Sequence, residues 1–174
     1  MAAGVRDIPG VIAPPPLIAL AAILLGLGLD WLLPIGLLAI VRGAVRLVVA
    51  LLAGATGAGI AISAIVTFRR LGTNVEPWKP ATALATEGIY AYVRNPMYLG
   101  LGLGILAIAF ASASDWMLVM LVPFTLVIHS GVVLREERYL EARFGDNYRR
   151  YRSRVSRYGW GPGTEDRPRP LKPR

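Results

Sequence analysis

Four stretches of the chain are long, apolar and nearly free of charge: Leu17–Leu33, broken only by Asp30 near its end; Leu47–Phe68; Pro96–Ser114; and Trp116–Leu134. A helix needs roughly 20 apolar residues to cross the hydrocarbon core of a bilayer. The pattern therefore predicts four membrane-spanning helices. The third and fourth are joined by a tight turn at Ser112-Ala113-Ser114-Asp115 and should form an antiparallel hairpin. At 1.5 Å per residue, Asn95 lies about 28 Å from that turn and Glu136 about 33 Å. The start of the third span and the exit of the fourth are thus expected at one end of the bundle.

Beyond the fourth span, Arg135–Phe144 reads as a helical continuation out of the membrane, with Gly145 as its C-cap and Asp146 as the N-cap of a further short helix. Leu140, Phe144, Tyr148, Tyr151 and Val155 recur at spacings of four, four, three and four. Such a stripe should fold back onto the bundle or the interface. The expected architecture is an all-α integral membrane helical bundle of about four transmembrane helices with a cytoplasmic C-terminal helical segment. Residues 1–160 form its single domain, and the proline-rich, charged residues 161–174 form a disordered tail. The first apolar stretch follows Pro14-Pro15-Pro16 rather than a basic segment, which argues against a cleaved signal peptide.

Composition agrees with lipid as part of the solvent. Hydrophobic residues make up 55% of the 174, the mean hydropathy is +0.51, and 17% are charged, against about 25% in soluble domains. Residues 135–174 carry twelve Lys/Arg and six Asp/Glu, so most of the net charge of +8 sits there. In a membrane protein this basic excess marks a cytoplasmic face near anionic lipid rather than a nucleic-acid site. Arg69, Arg70, Lys79 and Arg94, between spans two and three, belong to the same side. Arg42 and Arg46 fall on the opposite side, either snorkelling or within an interfacial segment over residues 36–46. The orientation implied is a multi-pass membrane protein with both termini cytoplasmic. There is no cysteine and a single histidine, His129. That excludes disulfides, a thiolate nucleophile and a multi-histidine metal site within one chain.

Candidate chemistry concentrates at the shared end of the hairpin. Gly88–Gly100 packs Tyr90, Tyr92, Tyr98, Arg94 and Asn95 around Pro96 at the mouth of a membrane helix. An interfacial aromatic belt with a capped helix accounts for part of this. Glu136 and Glu137 leave the membrane side by side, where a helix C-terminal end disfavours anions; one reading is a solvated Glu–Arg face, the other a carboxylate held to receive a cation. His129, inside the fourth span, is either a functional group or a neutral histidine bonded to a neighbouring helix. Asp30 and Asp115, near span ends, are expected to be wet. Gly100 and Gly104, like Gly54, Gly57 and Gly59, suit close helix packing better than a nucleotide fingerprint.

Gly88–Gly100, read as G-x-Y-x-x-x-R-N-P-x-Y-x-G, followed by Glu136-Glu137 and by Phe144-Gly145-x-x-Tyr148-x-x-Tyr151, resembles the signatures of the isoprenylcysteine carboxyl methyltransferase and phospholipid methyltransferase group. Gly72-Thr73 and Leu84–Gly88 also fit, and the resemblance covers about residues 69–157. It implies an S-adenosylmethionine-dependent methyltransferase acting on a lipid-like or small hydrophobic acceptor, a prenylcysteine carboxylate or an amine-type lipid among the possibilities. It implies that Thr82, Ala83, Leu84, Ala85 and Tyr90 wall the cofactor, that Asn95, Pro96, Met97 and Tyr98 contact it, that Glu136 holds the cofactor's ammonium group, and that Tyr148 and Tyr151 close the site.

Two positions depart from the prenylcysteine enzymes: Asn95 stands where they commonly have histidine, and Val132 where they place a substrate-binding arginine. Arg94 or Arg135 is the candidate replacement. The departures favour a bacterial-type member with a lipid or small hydrophobic acceptor. Transfer from a sulfonium needs a proton acceptor unless the nucleophile is already ionised; Glu137, Glu136, His129 and Tyr98 are the candidates, unranked. Arg94 and Glu137 are the residues expected to serve catalysis. The rival readings are an NADPH-dependent membrane sterol or steroid reductase, with Arg149, Arg150 and Arg152 on its phosphates, and a non-catalytic module assembled through glycine-lined helices. The residues fix no oligomeric state.

Overall fold

The computed structural model describes residues 8–159, and all regular structure among them is helical. The helices are α1 (Pro15–Leu32), a single turn α2 (Leu37–Ile40), α3 (Gly43–Arg70), α4 (Pro96–Ser112), α5 (Asp115–Ile128), α6 (Leu134–Phe144) and α7 (Asp146–Arg154). A 3₁₀ turn over Gly88–Ala91 precedes α4, and a π-helical turn over His129–Val133 joins α5 to α6. The expected tail at 161–174 lies outside the described residues. Three helical stretches are long and apolar enough to cross a membrane: α1, α3 and the continuous rod Asp115–Phe144; α4 is a shorter apolar helix. The chain is an integral membrane helical bundle.

The four expected spans are all present as helices, with altered limits. The second begins at Gly43 and runs to Arg70, and the fourth passes through the π turn to Phe144 without a break. The segment between spans one and two resolves into α2 and then the start of α3.

The helices neighbour one another in the order α3, α4, α5, α1. Pro15 and Pro96 stand in the first turns of α1 and α4, where a missing N–H is harmless. Ala113, in the left-handed region at φ 55°, makes the hairpin turn, and Ser114 caps α5 by accepting the Met117 N–H at 3.1 Å. Where α3 crosses α4 the contact is backbone on backbone. A Cβ on Gly57 would lie 2.9 Å from the Gly100 carbonyl oxygen, and one on Gly100 would lie 2.8 Å from that of Gly57. Gly54 makes only an ordinary contact with Ala107, while Gly59 and Gly104 face open space. Gly26 lets α1 approach Met117 of α5 in the same way. Leucines such as Leu24, Leu25, Leu51, Leu52 and Leu126 are left exposed on the outer faces, as a lipid-facing surface requires.

At the hairpin-turn end, Asp115 is buried rather than wet. It accepts the N–H groups of Leu37 at 2.8 Å and Leu38 at 2.9 Å. The chain after α1 folds back over the hairpin and brings the unbonded N–H groups of a helix start to this carboxylate. Asp30 is half-buried and bonds to the Ser114 hydroxyl and the Trp116 N–H. At the other end α7 turns back under the bundle. Its Tyr148, Tyr151 and Val155 pack with Leu84, Leu140 and Phe144. Gly145, at φ 52°, provides the reversal and is itself the N-cap of α7; Asp146 is the first helical residue rather than the cap.

Candidate active site

The start of α4 and the exit of the fourth span do meet. The Tyr98 hydroxyl donates to Glu136 Oε1 at 2.6 Å. Around that bond lies a pocket enclosing about 810 Å³ of space, its open mouth included. Ala83, Leu84, Ala85, Tyr90, Arg94, Asn95, Pro96, Met97, Tyr98, Glu136, Glu137, Tyr148 and Tyr151 all border it. Thr82 does not. It is exposed, and its hydroxyl donates to the Gly72 carbonyl at 2.9 Å while its N–H meets Thr73 Oγ1 at 3.1 Å. Its place is in bracing the loop that supplies the wall.

Each wall is held by a local arrangement. Phe68, on the last turn of α3, stacks on Tyr90 with ring centroids 4.9 Å apart. The Tyr151 hydroxyl donates to the Tyr90 carbonyl at 2.7 Å, which ties α7 to the 3₁₀ turn. The Ala81 N–H donates to the Tyr139 hydroxyl at 3.0 Å, which ties the loop to α6. Burial pushes the phenols of Tyr90, Tyr148 and Tyr151 above their ordinary value, so these rings stay neutral at physiological pH. The Tyr90 hydroxyl is buried and has no hydrogen-bond partner among the described residues. An orphaned buried hydroxyl is costly unless something else satisfies it.

The two adjacent glutamates have different surroundings. Glu137 is buried and held by Arg157, through Nε at 2.8 Å and Nη2 at 2.7 Å, with Arg94 Nη2 at 3.4 Å. Glu136 is half-buried; its hydrogen bond comes from neutral Tyr98, and it has no ion pair among the described residues. Of the other basic candidates, Arg135 lies away from the pocket and donates to the Gly10 carbonyl at 3.0 Å. Arg94 borders the pocket, and Val132 is fully buried in the helix core. His129 sits in the π turn, outside the lining, with Nδ1 2.8 Å from the Tyr158 hydroxyl. Arg149 and Arg152 are in ion pairs with Glu141, and Arg150 donates to Asn147 Oδ1 at 2.7 Å.

Sequence reasoning missed Arg157, Phe68, Tyr139 and most of the loop Asn74–Lys79, all of them at the pocket or behind it. Arg157 follows Glu137 by twenty residues and lies beyond α7, where no periodicity relates the two. Among the described residues, no cluster of His, Cys, Asp and Glu could hold a metal ion.

The sequence profile of the family described as phospholipid methyltransferase matches residues 45–147, more than half of the chain. The chain belongs to this family. It is 44% identical over 64 residues to an uncharacterized protein of Haemophilus influenzae, a stretch covering 36% of this chain and 98% of that one. It is 42% identical over 77 residues to a protein-S-isoprenylcysteine O-methyltransferase of Schizosaccharomyces pombe, covering 41% of this chain and 30% of the relative. The chain thus spans less than a third of the length of that enzyme. No solved structure matches it. Family membership and the apolar helices together make this a membrane methyltransferase.

Proposed function

We propose that this protein transfers a methyl group from S-adenosylmethionine to a lipid-like or small hydrophobic acceptor, in the pocket between Tyr98 and Glu136 at the cytoplasmic membrane face. The observation that carries the reading is the Glu136 carboxylate, bordering the pocket with a neutral phenol as its hydrogen-bond donor and no cation paired to it. A carboxyl group so placed suits a ligand that brings positive charge, which would hold it ionised. The orphaned Tyr90 hydroxyl fits the same ligand, because a nucleoside has polar groups to offer it. The rings of Tyr90, Tyr98 and Tyr151 suit a cation beside aromatic faces.

When bound, the cofactor supplies an electrophilic methyl carbon on a sulfonium. The protein orients and shields. Glu136 holds the cationic end, and Tyr98 fixes the carboxylate rotamer. Asn95 donates through Nδ2 to the Arg157 carbonyl at 3.2 Å, which holds its side chain at the pocket wall. Phe68, Met97 and Leu140 keep water out. Glu137, bound by two guanidiniums, serves as an anchor rather than a proton acceptor. Arg94 holds it in place. Topology follows from charge: Arg69, Arg70, Arg94 and the arginines of α6 and α7 lie at the pocket end, which the positive-inside rule assigns to the cytoplasm.

Calorimetric titration of the purified protein and of Glu136→Ala with S-adenosylmethionine tests this, with NADPH as the competing ligand. Binding by the wild type and its loss in a variant that still melts cooperatively is the expected result. Equal affinity of the two proteins, or binding of NADPH in preference, refutes it.

A further inference from the structure

The four residues after α7 do not simply trail away. Val155 and Ser156 are buried, and the segment crosses the start of α4. The Arg94 N–H donates to the Ser156 carbonyl at 3.0 Å, and Asn95 Nδ2 to the Arg157 carbonyl at 3.2 Å. The Arg157 side chain then reaches α6 and grips Glu137 with both arms of its fork, at 2.8 and 2.7 Å. Tyr158 continues to His129 in the π turn. One short strap therefore touches the start of α4, the middle of the α5–α6 rod and Glu137.

We infer that Arg157 is a positioning residue for Glu136, acting through Glu137. The inference rests on the cofactor reading of the pocket. Successive helical residues are separated by about 100° around the axis, so pinning Glu137 fixes the rotation of α6. That rotation points Glu136 at Tyr98 and the pocket. Arg94 approaches Glu137 at 3.4 Å, whereas Arg157 makes two shorter contacts, at 2.8 and 2.7 Å. A bidentate guanidinium fixes the carboxylate plane as well as its position, which a lysine ammonium cannot do. The backbone of the same strap holds Arg94 and Asn95, so the two sides of the pocket are registered against each other by one segment.

A double-mutant cycle on S-adenosylmethionine affinity tests the link, with Arg157→Gln, Glu137→Gln, the double variant, and Arg157→Lys as a variant that keeps the charge. Supporting residues behind a ligand contact commonly change affinity by roughly 10–100-fold. Arg157→Gln should weaken binding by at least roughly tenfold, with Arg157→Lys between it and the wild type. The effect should vanish once Glu137 is already Gln, because it passes through that carboxylate. An affinity unchanged in Arg157→Gln, a fall in thermal stability alone, or an equal loss in both backgrounds overturns the inference. A wild type that binds no S-adenosylmethionine refutes the cofactor reading instead. The strap is then read by hydrogen exchange at the Arg94 amide, expected to quicken in Arg157→Gln; unchanged exchange overturns the positioning role independently.

Discussion

Replacing Gly100 by alanine should force α3 and α4 apart at a place where their backbones touch. The new Cβ would lie 2.8 Å from the Gly57 carbonyl oxygen and 3.2 Å from the Ala61 Cβ. Non-bonded heavy atoms settle near ~3.5 Å, so the helices must open or rotate by ~0.7 Å. The first obstacle is backbone and cannot swing away as a side-chain tip would. Overpacking of this kind costs about 1–3 kcal/mol, and removing a helical glycine returns only about 0.5–1 kcal/mol. The net effect is a loss of stability. The opening also reaches the pocket, because Phe68 belongs to α3 while Met97 and Tyr98 belong to the first turn of α4. Gly104→Ala is the internal control. It lies one turn further along the same helix, and its Cβ would have nothing within 4 Å, so it should be neutral or gain up to about 1 kcal/mol. Thermal unfolding of the three proteins in the same detergent, followed by cofactor titration, separates the cases. Both alanine variants melting together, or Gly100→Ala melting above the wild type, would refute the crossing geometry.

Asp115→Ala should orphan the Leu37 and Leu38 N–H groups at the opposite end of the bundle and lower unfolding free energy by about 1–3 kcal/mol; an unchanged melting curve contradicts this. Tyr148 and Tyr151 have phenols raised by burial above the ordinary 10.0. The unfolded chain therefore loses these protons first, and the stability they contribute is complete below that value and falls as pH rises past it. A melting temperature that stays flat from about pH 8 to about pH 11 would count against buried, neutral rings. Arg135→Ala should leave cofactor affinity within about twofold, because Arg135 reaches the Gly10 carbonyl and not the pocket; a large loss would place Arg135 among the groups that hold the cofactor.

The membrane character was legible from local pattern alone. Each span is a run of apolar residues, and the hairpin follows from a turn too short for anything but an antiparallel return. The same arithmetic of rise per residue brought the Tyr98 and Glu136 ends together, and the structure joins them by a hydrogen bond. The stripe Leu140–Val155 announced that α7 folds back, and Tyr148 and Tyr151 are found buried. Span limits were less legible, because hydropathy fades at helix ends while backbone hydrogen bonds continue; α3 and the α5–α6 rod both run past the apolar window.

What sequence could not decide were the pairings made by groups distant in the chain and without period. Asp115 looked like a loop acid, and only the fold-back after α1 gives it two N–H partners and buries it. Glu136 and Glu137 are identical in type and adjacent, so nothing local distinguishes them. Their roles diverge because α6 turns one toward Tyr98 and the other toward Arg94 and Arg157. Periodicity reports which face of a helix is apolar, since burial repeats along it. A charge satisfied by one partner across the bundle leaves no such repeat, and only three-dimensional packing selects the partner.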